Sequence, residues 1–148
     1  MSEFIIDCAD FEDGAEIPQK CGHKFENQTP EIGMGTQAEH FPPGMECVVI
    51  IMDDPDAMAA VGKVWVHWLQ YTNLESVDDP RPTFGKNDFG EIRYDGPAPP
   101  DKRHTYVFKA YALDTELDLK EGYSKQELED AMKGHILAEA KLTGTFAP

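Results

Sequence analysis

Apolar residues are concentrated along the chain in three short runs that contain few polar positions. The runs span residues 46–52, 64–69 and 105–113, and they are rich in valine, isoleucine and aromatic residues. Apolar residues at successive positions over such short lengths are typical of strands that are buried on both faces. Together with a shorter expected strand at 4–8, the runs predict a mainly β fold.

The hydrophobic period changes near the C-terminus. Ser124 and Glu127 have the spacing of a capping box, which marks the start of a helix. The residues that follow at helical spacing are Leu128, Ala131, Met132, His135, Ala138 and Leu142. With Gly144 in the position of a C-terminal cap, the pattern predicts one helix over about 124–143.

Two long segments, 19–44 and 78–103, are rich in proline and glycine and are predicted to be irregular connections. The second segment carries Phe84, Phe89 and Tyr94, and these aromatic residues indicate a loop that packs against the fold. Long ordered loops in compact domains are usually functional. Segment 78–103 is therefore a candidate functional loop.

Length and charge narrow the classes of function. The chain has 148 residues, which predicts a single domain spanning 1–148. Its 28 acidic and 13 basic residues give a net charge of -15, which argues against nucleic acid as a partner and against stable membrane association.

The longest apolar run, 47–52, is far shorter than the roughly 20 residues of a membrane span. The N-terminus has no secretory signal pattern, and three cysteines without a pairing motif fit reduced thiols, so a cytoplasmic location is expected.

Three polar residues lie at or near the ends of the predicted strands. Asp54, after the first run, belongs either to an ordinary Asp-Pro turn or to the rim of a pocket. His67, inside the second run, is either a packed core histidine or an imidazole that lines a pocket. His104, on one strand face with Tyr106, is either a solvated residue at a strand end or part of the same pocket. Taken together, the three residues favour one small polar site on an apolar floor.

Motifs of several enzyme classes are absent from the sequence. It contains no glycine-rich phosphate loop, no paired-histidine zinc motif and no serine hydrolase elbow. Without a recognisable nucleophile beside the candidate histidines, the sequence favours a binding protein over an enzyme.

Several segments carry motifs whose order and spacing are more specific than any one of them. Four of them are Asp-Pro-Asp-Ala at 54–57, Trp-Val-His-Trp at 65–68, Tyr-Asp-Gly-Pro-Ala-Pro-Pro at 94–100 and His-Thr-Tyr-Val-Phe at 104–108. Further matching segments are 17–18, 27–30, 87–90, 111–114, 131–137 and 142–144. Together they resemble the phosphatidylethanolamine-binding protein family, the Raf kinase inhibitor-like proteins, in its short prokaryotic branch. The resemblance covers nearly the whole chain. The chain departs from the family pattern in several places. Met58 replaces a proline, Thr105 replaces an arginine, and Ala98 stands where glycine or cysteine is more common. Thr29 replaces a serine, and residues 21–25 differ from the usual run of the early loop.

The resemblance implies a β-sandwich-like fold around a large antiparallel sheet with peripheral helices. It also implies a small pocket that binds phosphate or the phosphoryl head group of phosphoethanolamine, with no cofactor and no metal ion. Carried over by position, the pocket residues are Asp54, Trp65, His67, Gly96, Ala98, Pro99, His104 and Tyr106. A protein partner, such as a kinase or a protease, is a further expectation from the family.

Three functions stand as hypotheses. The first is a protein that binds a small anion or a phosphorylated ligand and regulates a protein partner. The second is a metal-dependent or acid–base hydrolase that uses Asp54, His67 and His104. The third is an interaction protein whose pocket is vestigial. The oligomeric state is left open between a monomer and a homodimer.

Overall fold

Strands dominate the residues that the computed structural model describes, which are 4–33, 41–74 and 81–148. In chain order the strands are β1 Asp7–Cys8, β2 Ile32–Gly33, β3 Cys47–Asp54, β4 Trp65–Asn73, β5 Thr83–Phe84, β6 His104–Leu113 and β7 Ile136–Phe146. The helices are α1 Ala57–Val61 and α2 Lys125–Met132, with a short 3₁₀ helix at Gln19–Cys21.

Five strands form one antiparallel sheet in the order β5-β4-β3-β6-β7. β3 lies at its centre, and all eight of its residues are buried. Val48, Ile50 and Met52 enter one apolar cluster, and the alternate residues Val49 and Ile51 enter a second cluster on the other face. The predicted mainly β fold around a large antiparallel sheet is confirmed, and the three apolar runs correspond to β3, β4 and β6.

The shorter elements differ from the predictions in extent. The strand expected at 4–8 is reduced to β1, which pairs with β2 in a separate two-stranded sheet. Residues 81–103 of the candidate loop contain β5, and Tyr94 with the three residues after it is buried, so this part packs against the fold. Residues 34–40 and 78–80 of the two predicted connections lie outside the described residues.

The predicted C-terminal helix begins where expected and is wrong beyond Met132. Ser124 and Glu127 form the capping box, in which each residue's side chain accepts a hydrogen bond from the other's main-chain N–H. After α2, Gly134 adopts a φ of 84°, a left-handed conformation that glycine takes at little cost. The chain then continues as β7, which pairs with β6 along its length.

Pairing with β6 explains why a strand replaces the second half of the predicted helix. Ala138 and Leu142 are four residues apart, a spacing that places them on one face of a helix and equally on one face of a strand. Gly144 is a close-packing position and not a cap, because a Cβ there would lie 2.6 Å from Ile17 and 2.8 Å from Phe11. The hydrophobic pattern therefore allows either a helix or a strand here, and hydrogen bonding to the edge of β6 favours the strand.

The two helices connect strands at the periphery of the sheet. α1 joins β3 to β4 and ends at Gly62, which has a φ of 81°. α2 joins β6 to β7 and packs Leu128 and Met132 against the sheet. Within the described parts of the chain, no helix has the length and apolarity that crossing a membrane requires.

Candidate functional site

A small cavity lies at the end of the sheet where β3 finishes and β4 and β6 begin. Because neighbouring strands run in opposite directions, the end of β3 lies beside the starts of both neighbours. The cavity has a volume of about 130 Å³. Its walls are formed by Asp54, Ala57, Ala60, Val61, Trp65, His67, Phe89, Ala98, Pro100, His104 and Tyr106. The strands supply the polar groups of this cavity, whereas α1 and the loop 89–100 supply apolar ones.

His104 is fully buried between two carboxylates. Its Nδ1 lies 2.6 Å from Oδ2 of Asp54, and its Nε2 lies 2.7 Å from Oδ1 of Asp101. Burial alone would lower the pKa of His104, but the hydrogen bonds to Asp54 and Asp101 outweigh it and hold this pKa above its ordinary value. A carboxylate accepts hydrogen bonds, so both ring nitrogens donate and the ring is an imidazolium. The cavity wall therefore contains a positive charge that two negative charges hold in place.

His67 is also buried, but its ring is neutral where that of His104 is charged. Its Nδ1 lies 2.8 Å from the main-chain oxygen of Asp95, and because a carbonyl oxygen accepts, Nδ1 carries the proton. Burial lowers the pKa of His67, which favours the neutral ring. Nε2 then carries a lone pair, and no described residue hydrogen-bonds to it. His67 thus presents an acceptor at neutral pH and becomes a donor only when it is protonated.

Asp95 fixes the loop that closes the cavity. Its carboxylate is fully buried and accepts hydrogen bonds from Asn27 Nδ2 and Asn87 Nδ2, each at 2.8 Å. Arg93 Nε and Nη2 add contacts at 3.1 Å. Burial alone would raise the pKa of Asp95, but the hydrogen bonds from Arg93, Asn87 and Asn27 hold it below its ordinary value. This charged cluster orients the main-chain oxygen that sets the tautomer of His67.

Gly96 allows the loop to approach the preceding part of the fold closely. A Cβ at this position would lie 1.8 Å from the main-chain oxygen of Cys21, a distance that no side chain can tolerate. The Gly96 N–H donates to Oδ1 of Asn27 at 2.7 Å. Its donor is therefore used within the protein, and Gly96 supports the site from behind.

The cavity gathers buried polar atoms that have no partner. In the part of the chain that the structure describes, four buried side-chain atoms lack a hydrogen bond, namely His23 Nδ1, Asp54 Oδ1, Trp65 Nε1 and Tyr106 Oη. The last three belong to residues of the cavity wall. Burial raises the pKa of Tyr106, so its hydroxyl keeps its proton. Buried polar groups are normally satisfied, so this concentration of unpartnered atoms distinguishes the cavity from the rest of the described core.

Known proteins share both the sequence and the fold. A family model described as "Phosphatidylethanolamine-binding protein" matches residues 8–147. The chain belongs to the phosphatidylethanolamine-binding protein family. A UPF0098 protein of Methanothermobacter thermautotrophicus is 36% identical over 92% of this chain and 93% of its own length. A UPF0098 protein of Chlamydia muridarum is 37% identical over the same shares of the two chains.

Two solved structures carry the same fold. One is described as a putative phosphatidylethanolamine-binding protein homolog from Chlamydia trachomatis, with a TM-score of 0.85 and 34% identity over 99% of this chain and 98% of that one. The other, Escherichia coli YbcL, is described as a new member of the mammalian family. It has a TM-score of 0.81 at 23% identity, with 98% of each chain covered. The second likeness supports the family fold alone.

The structure brings together six of the eight pocket residues that the family resemblance implies. Asp54, Trp65, His67, Ala98, His104 and Tyr106 line the cavity. Gly96 and Pro99 are buried but do not line it, and Pro100 contributes to the wall in place of its neighbour. Gly96 instead supports the loop from behind through its N–H, which donates to Asn27.

Phe89 is the main wall residue that the sequence did not identify. Its ring meets Trp65 and His67 edge-on, with both centroid distances at 5.5 Å. On its other side it stacks on His23 at 4.2 Å and an interplanar angle of 14°. An aromatic residue in a turn-rich segment indicates packing, but only the folded loop shows that it packs on the site.

The hydrogen bonds of His104 and the residues of the cavity wall limit the metal ions and nucleophiles that the described residues could supply. Both ring nitrogens of His104 are engaged by Asp54 and Asp101, so neither is free to bind a metal ion. The described residues contain no group of three or more histidine, cysteine or acidic side chains placed to hold one. Among the described residues that form it, the cavity wall also contains no serine or cysteine to act as a nucleophile.

Proposed function

We propose that the cavity binds a small oxyanion that carries a proton, such as inorganic phosphate or the phosphoryl group of phosphoethanolamine. The observation that carries this proposal is the set of unpartnered atoms Asp54 Oδ1, Trp65 Nε1 and Tyr106 Oη around one cavity. Each buried polar group without a partner costs about 1–3 kcal/mol. A ligand whose polar atoms reach these three groups would satisfy them together.

The ligand must both donate and accept hydrogen bonds. Trp65 Nε1–H can only donate, a carboxylate oxygen of Asp54 accepts, and the hydroxyl of Tyr106 does either. Nε2 of the neutral His67 is a further acceptor. A phosphate monoester, with a second pKa of about 6, carries both P–O⁻ acceptors and a P–OH donor close to neutral pH. Monoprotonated phosphate therefore matches this set of groups.

Local groups must supply the attraction for an anion. The imidazolium of His104 faces the cavity, but Asp54 and Asp101 offset its charge. The net charge of -15 on the whole chain opposes long-range approach of a negative ligand. Short hydrogen bonds, strengthened by burial, are thus the source of affinity. Regulation of a protein partner and a cytoplasmic location stay predictions.

Selectivity between phosphate and sulfate tests the proposed match. Sulfate has the shape of phosphate but no proton near neutral pH, so Asp54 Oδ1 would repel it instead of accepting a hydrogen bond. Isothermal titration near pH 6.5 is expected to show phosphate bound at least about tenfold more tightly, since tenfold equals about 1.4 kcal/mol, the net value of one hydrogen bond. Asp54→Asn, whose amide can donate to sulfate, is expected to remove this preference. Equal binding of the two anions by the unaltered protein would contradict the proposal.

A matched pair of histidine variants tests the location. His67→Ala is expected to weaken phosphate binding at least about tenfold, because a cavity wall and a ring nitrogen are lost together. His135→Ala is the control, because His135 is exposed and pairs with Asp114 outside the cavity. Undiminished binding by His67→Ala would place the ligand elsewhere. Parallel titrations with phosphoethanolamine show whether the ammonium group adds affinity to the phosphoryl group.

A further inference from the structure

One edge of the large sheet lacks a partner strand over part of its length. β7 is the last strand on that side. Its C-terminal half is covered, because Gly14 N–H donates to Thr143 O and Ile17 N–H donates to Thr145 O. Among the described residues, none pairs with the outer edge of β7 between Ile136 and Lys141.

Alternation along β7 identifies the main-chain groups at this open edge. Thr143 and Thr145 point their N–H and C=O groups away from β6, as their bonds to residues 13–17 show. In an antiparallel strand every second residue has the same direction. Glu139 and Lys141 therefore also point their N–H and C=O groups outward, and both side chains are exposed.

We propose that this edge pairs with the same edge of a second copy of the chain, so that two sheets join through antiparallel β7 strands. The two-fold axis passes at Ala140. Glu139 of each copy then lies opposite Lys141 of the other, and the two pairs exchange four main-chain hydrogen bonds. Two cross-strand ion pairs form at the same time, because directly opposite side chains have Cβ atoms about 5.5 Å apart.

The charges at this edge, and the main-chain groups that are already hydrogen-bonded there, favour this register over the two registers next to it. A shift that places Glu139 opposite Glu139 of the other copy brings like charges together, as does a shift that places Lys141 opposite Lys141. The second shift also places Glu139 opposite Thr143 of the other copy. The main-chain groups of Thr143 already form hydrogen bonds with residues 13–14. The register centred on Ala140 alone pairs opposite charges and uses only unoccupied groups.

The side chains around this edge permit close approach. Ala138 and Ala140 are small and half-buried on the opposite face of β7. Ile136 and Leu137, at the start of the strand, are 46% and 40% exposed. Sheet edges in monomeric proteins are usually protected by proline, a bulge or charged side chains, lysine above all. The pairing of β7 with β6 is irregular between Ile136 and Ala138, so the regular part of the open edge begins at Ala138. Segment 136–141 contains no proline, and both of its charged side chains complement a second copy of the same strand.

Charge reversal tests this pairing on the full chain. Sedimentation velocity between about 10 µM and about 1 mM chain is expected to show the unaltered protein moving from 16.6 kDa toward twice that mass. Glu139→Lys and Lys141→Glu are each expected to stay monomeric, because each variant places like charges opposite one another. A protein that stays monomeric up to the highest concentration would overturn the proposal.

Mixing the two variants separates strand pairing from a general effect of surface charge. Glu139→Lys has two lysines at the edge and Lys141→Glu has two glutamates, so a mixture restores both ion pairs and is expected to form a mixed dimer. Glu129→Lys, at an exposed position of α2, is the control for a change of the same charge and is expected to dimerise normally. Far-UV circular dichroism checks that each variant is folded. Dimers of either variant alone, or a mixture that stays monomeric, would each refute this register.

Discussion

Two buried aspartates, Asp95 and Asp54, occupy similar surroundings but differ in how their oxygens are used. Both are almost fully buried, and each lies beside a buried histidine. The main-chain oxygen of Asp95 accepts from His67, whereas the side chain of Asp54 accepts from His104. Both carboxylate oxygens of Asp95 accept hydrogen bonds from neighbouring side chains. Asp54 Oδ2 has a partner, while Asp54 Oδ1 has none among the described residues.

This difference separates a structural carboxylate from one that is free to bind. The cluster around Asp95 gains nothing from a ligand, since its acceptors are already engaged within the protein. The Asp54 side keeps one acceptor and two neighbouring polar atoms that no described residue partners, all in one cavity. Burial and charge alone do not distinguish the two sites, and only the completeness of hydrogen bonding does.

The largest expected effect is on the stability that Asp95 provides. Asp95→Asn is expected to lower the free energy of unfolding by about 3 kcal/mol near pH 7, since removing one partner of a buried charged cluster leaves its donors unsatisfied. Urea unfolding followed by circular dichroism measures this loss. Asp54→Asn is the matched variant and is expected to lose less than half as much, because only one of its oxygens is engaged. Equal losses would remove the distinction between the two aspartates.

The same variant has a defined pH dependence. The pKa of Asp95 is held below its ordinary value in the folded protein. Its contribution to stability is therefore present above the unfolded pKa of about 3.9 and is lost as the pH falls through the folded pKa. The difference between the unaltered protein and Asp95→Asn is expected to shrink below about pH 4. A difference that stays constant down to about pH 2 would contradict this account.

The sequence predicted the sheet better than it predicted the ends of its elements. β3, β4 and β6 are apolar on both faces, and at their length this pattern favours buried strands over helices. β7 was missed because Ala138 and Leu142 share a face at either period. The choice between helix and strand there depends on β6, which is more than twenty residues earlier in the chain.

The candidate site was predictable only in part. Asp54, His67 and His104 were identified from their position at strand ends and from the family motifs. The role of Asp95 carries no local signal, because one of its donors, Asn27, is 68 residues away in the chain. Gly96 was expected to serve a ligand, but its N–H is engaged by the same Asn27. Long-range partners thus decide which polar groups of a motif remain available.

The pKa values of His104 and His67 are shifted in opposite directions, so the two rings are expected to change charge in different pH ranges. The pKa of His104 is raised, so its stabilising contribution is fully present below the unfolded pKa of about 6.5 and is lost as the pH rises through the folded pKa. His104→Gln is therefore expected to cost about 1.5 kcal/mol more near pH 6 than near pH 9, the difference between charged and neutral hydrogen bonds. Urea unfolding at the two pH values measures it.

Imidazole NMR gives the control for this pair. The pKa of His67 is lowered by burial, so its ring is expected to be neutral, with the proton on Nδ1, at a pH where His104 is still charged. Nitrogen chemical shifts of the two rings distinguish these states directly. If both rings titrate together, the environments of Asp54 and Asp95 do not act as the structure indicates.

The smallest expected effect compares two buried tyrosine hydroxyls. Tyr106 Oη has no partner among the described residues, whereas Tyr123 Oη donates to the main-chain oxygen of Thr83 at 2.7 Å. Tyr123→Phe is expected to lower the free energy of unfolding by about 1 kcal/mol, because the half-buried main-chain oxygen of Thr83 loses its donor. Tyr106→Phe is expected to leave stability unchanged or to raise it by up to about 1 kcal/mol, since an unsatisfied group is removed.

Binding reverses the order of the two tyrosine variants. Tyr106→Phe removes one of the cavity's unpartnered polar atoms and is expected to weaken phosphate binding by about tenfold, while Tyr123→Phe is expected to bind normally. These two results together would show that the hydroxyl of Tyr106 contributes to binding and not to stability. If Tyr106→Phe instead destabilised the protein and bound phosphate unchanged, its hydroxyl would be a structural group like that of Tyr123. Because Tyr106→Phe removes only a hydroxyl, this result would show that lacking a hydrogen-bond partner does not mark a group as a binding group.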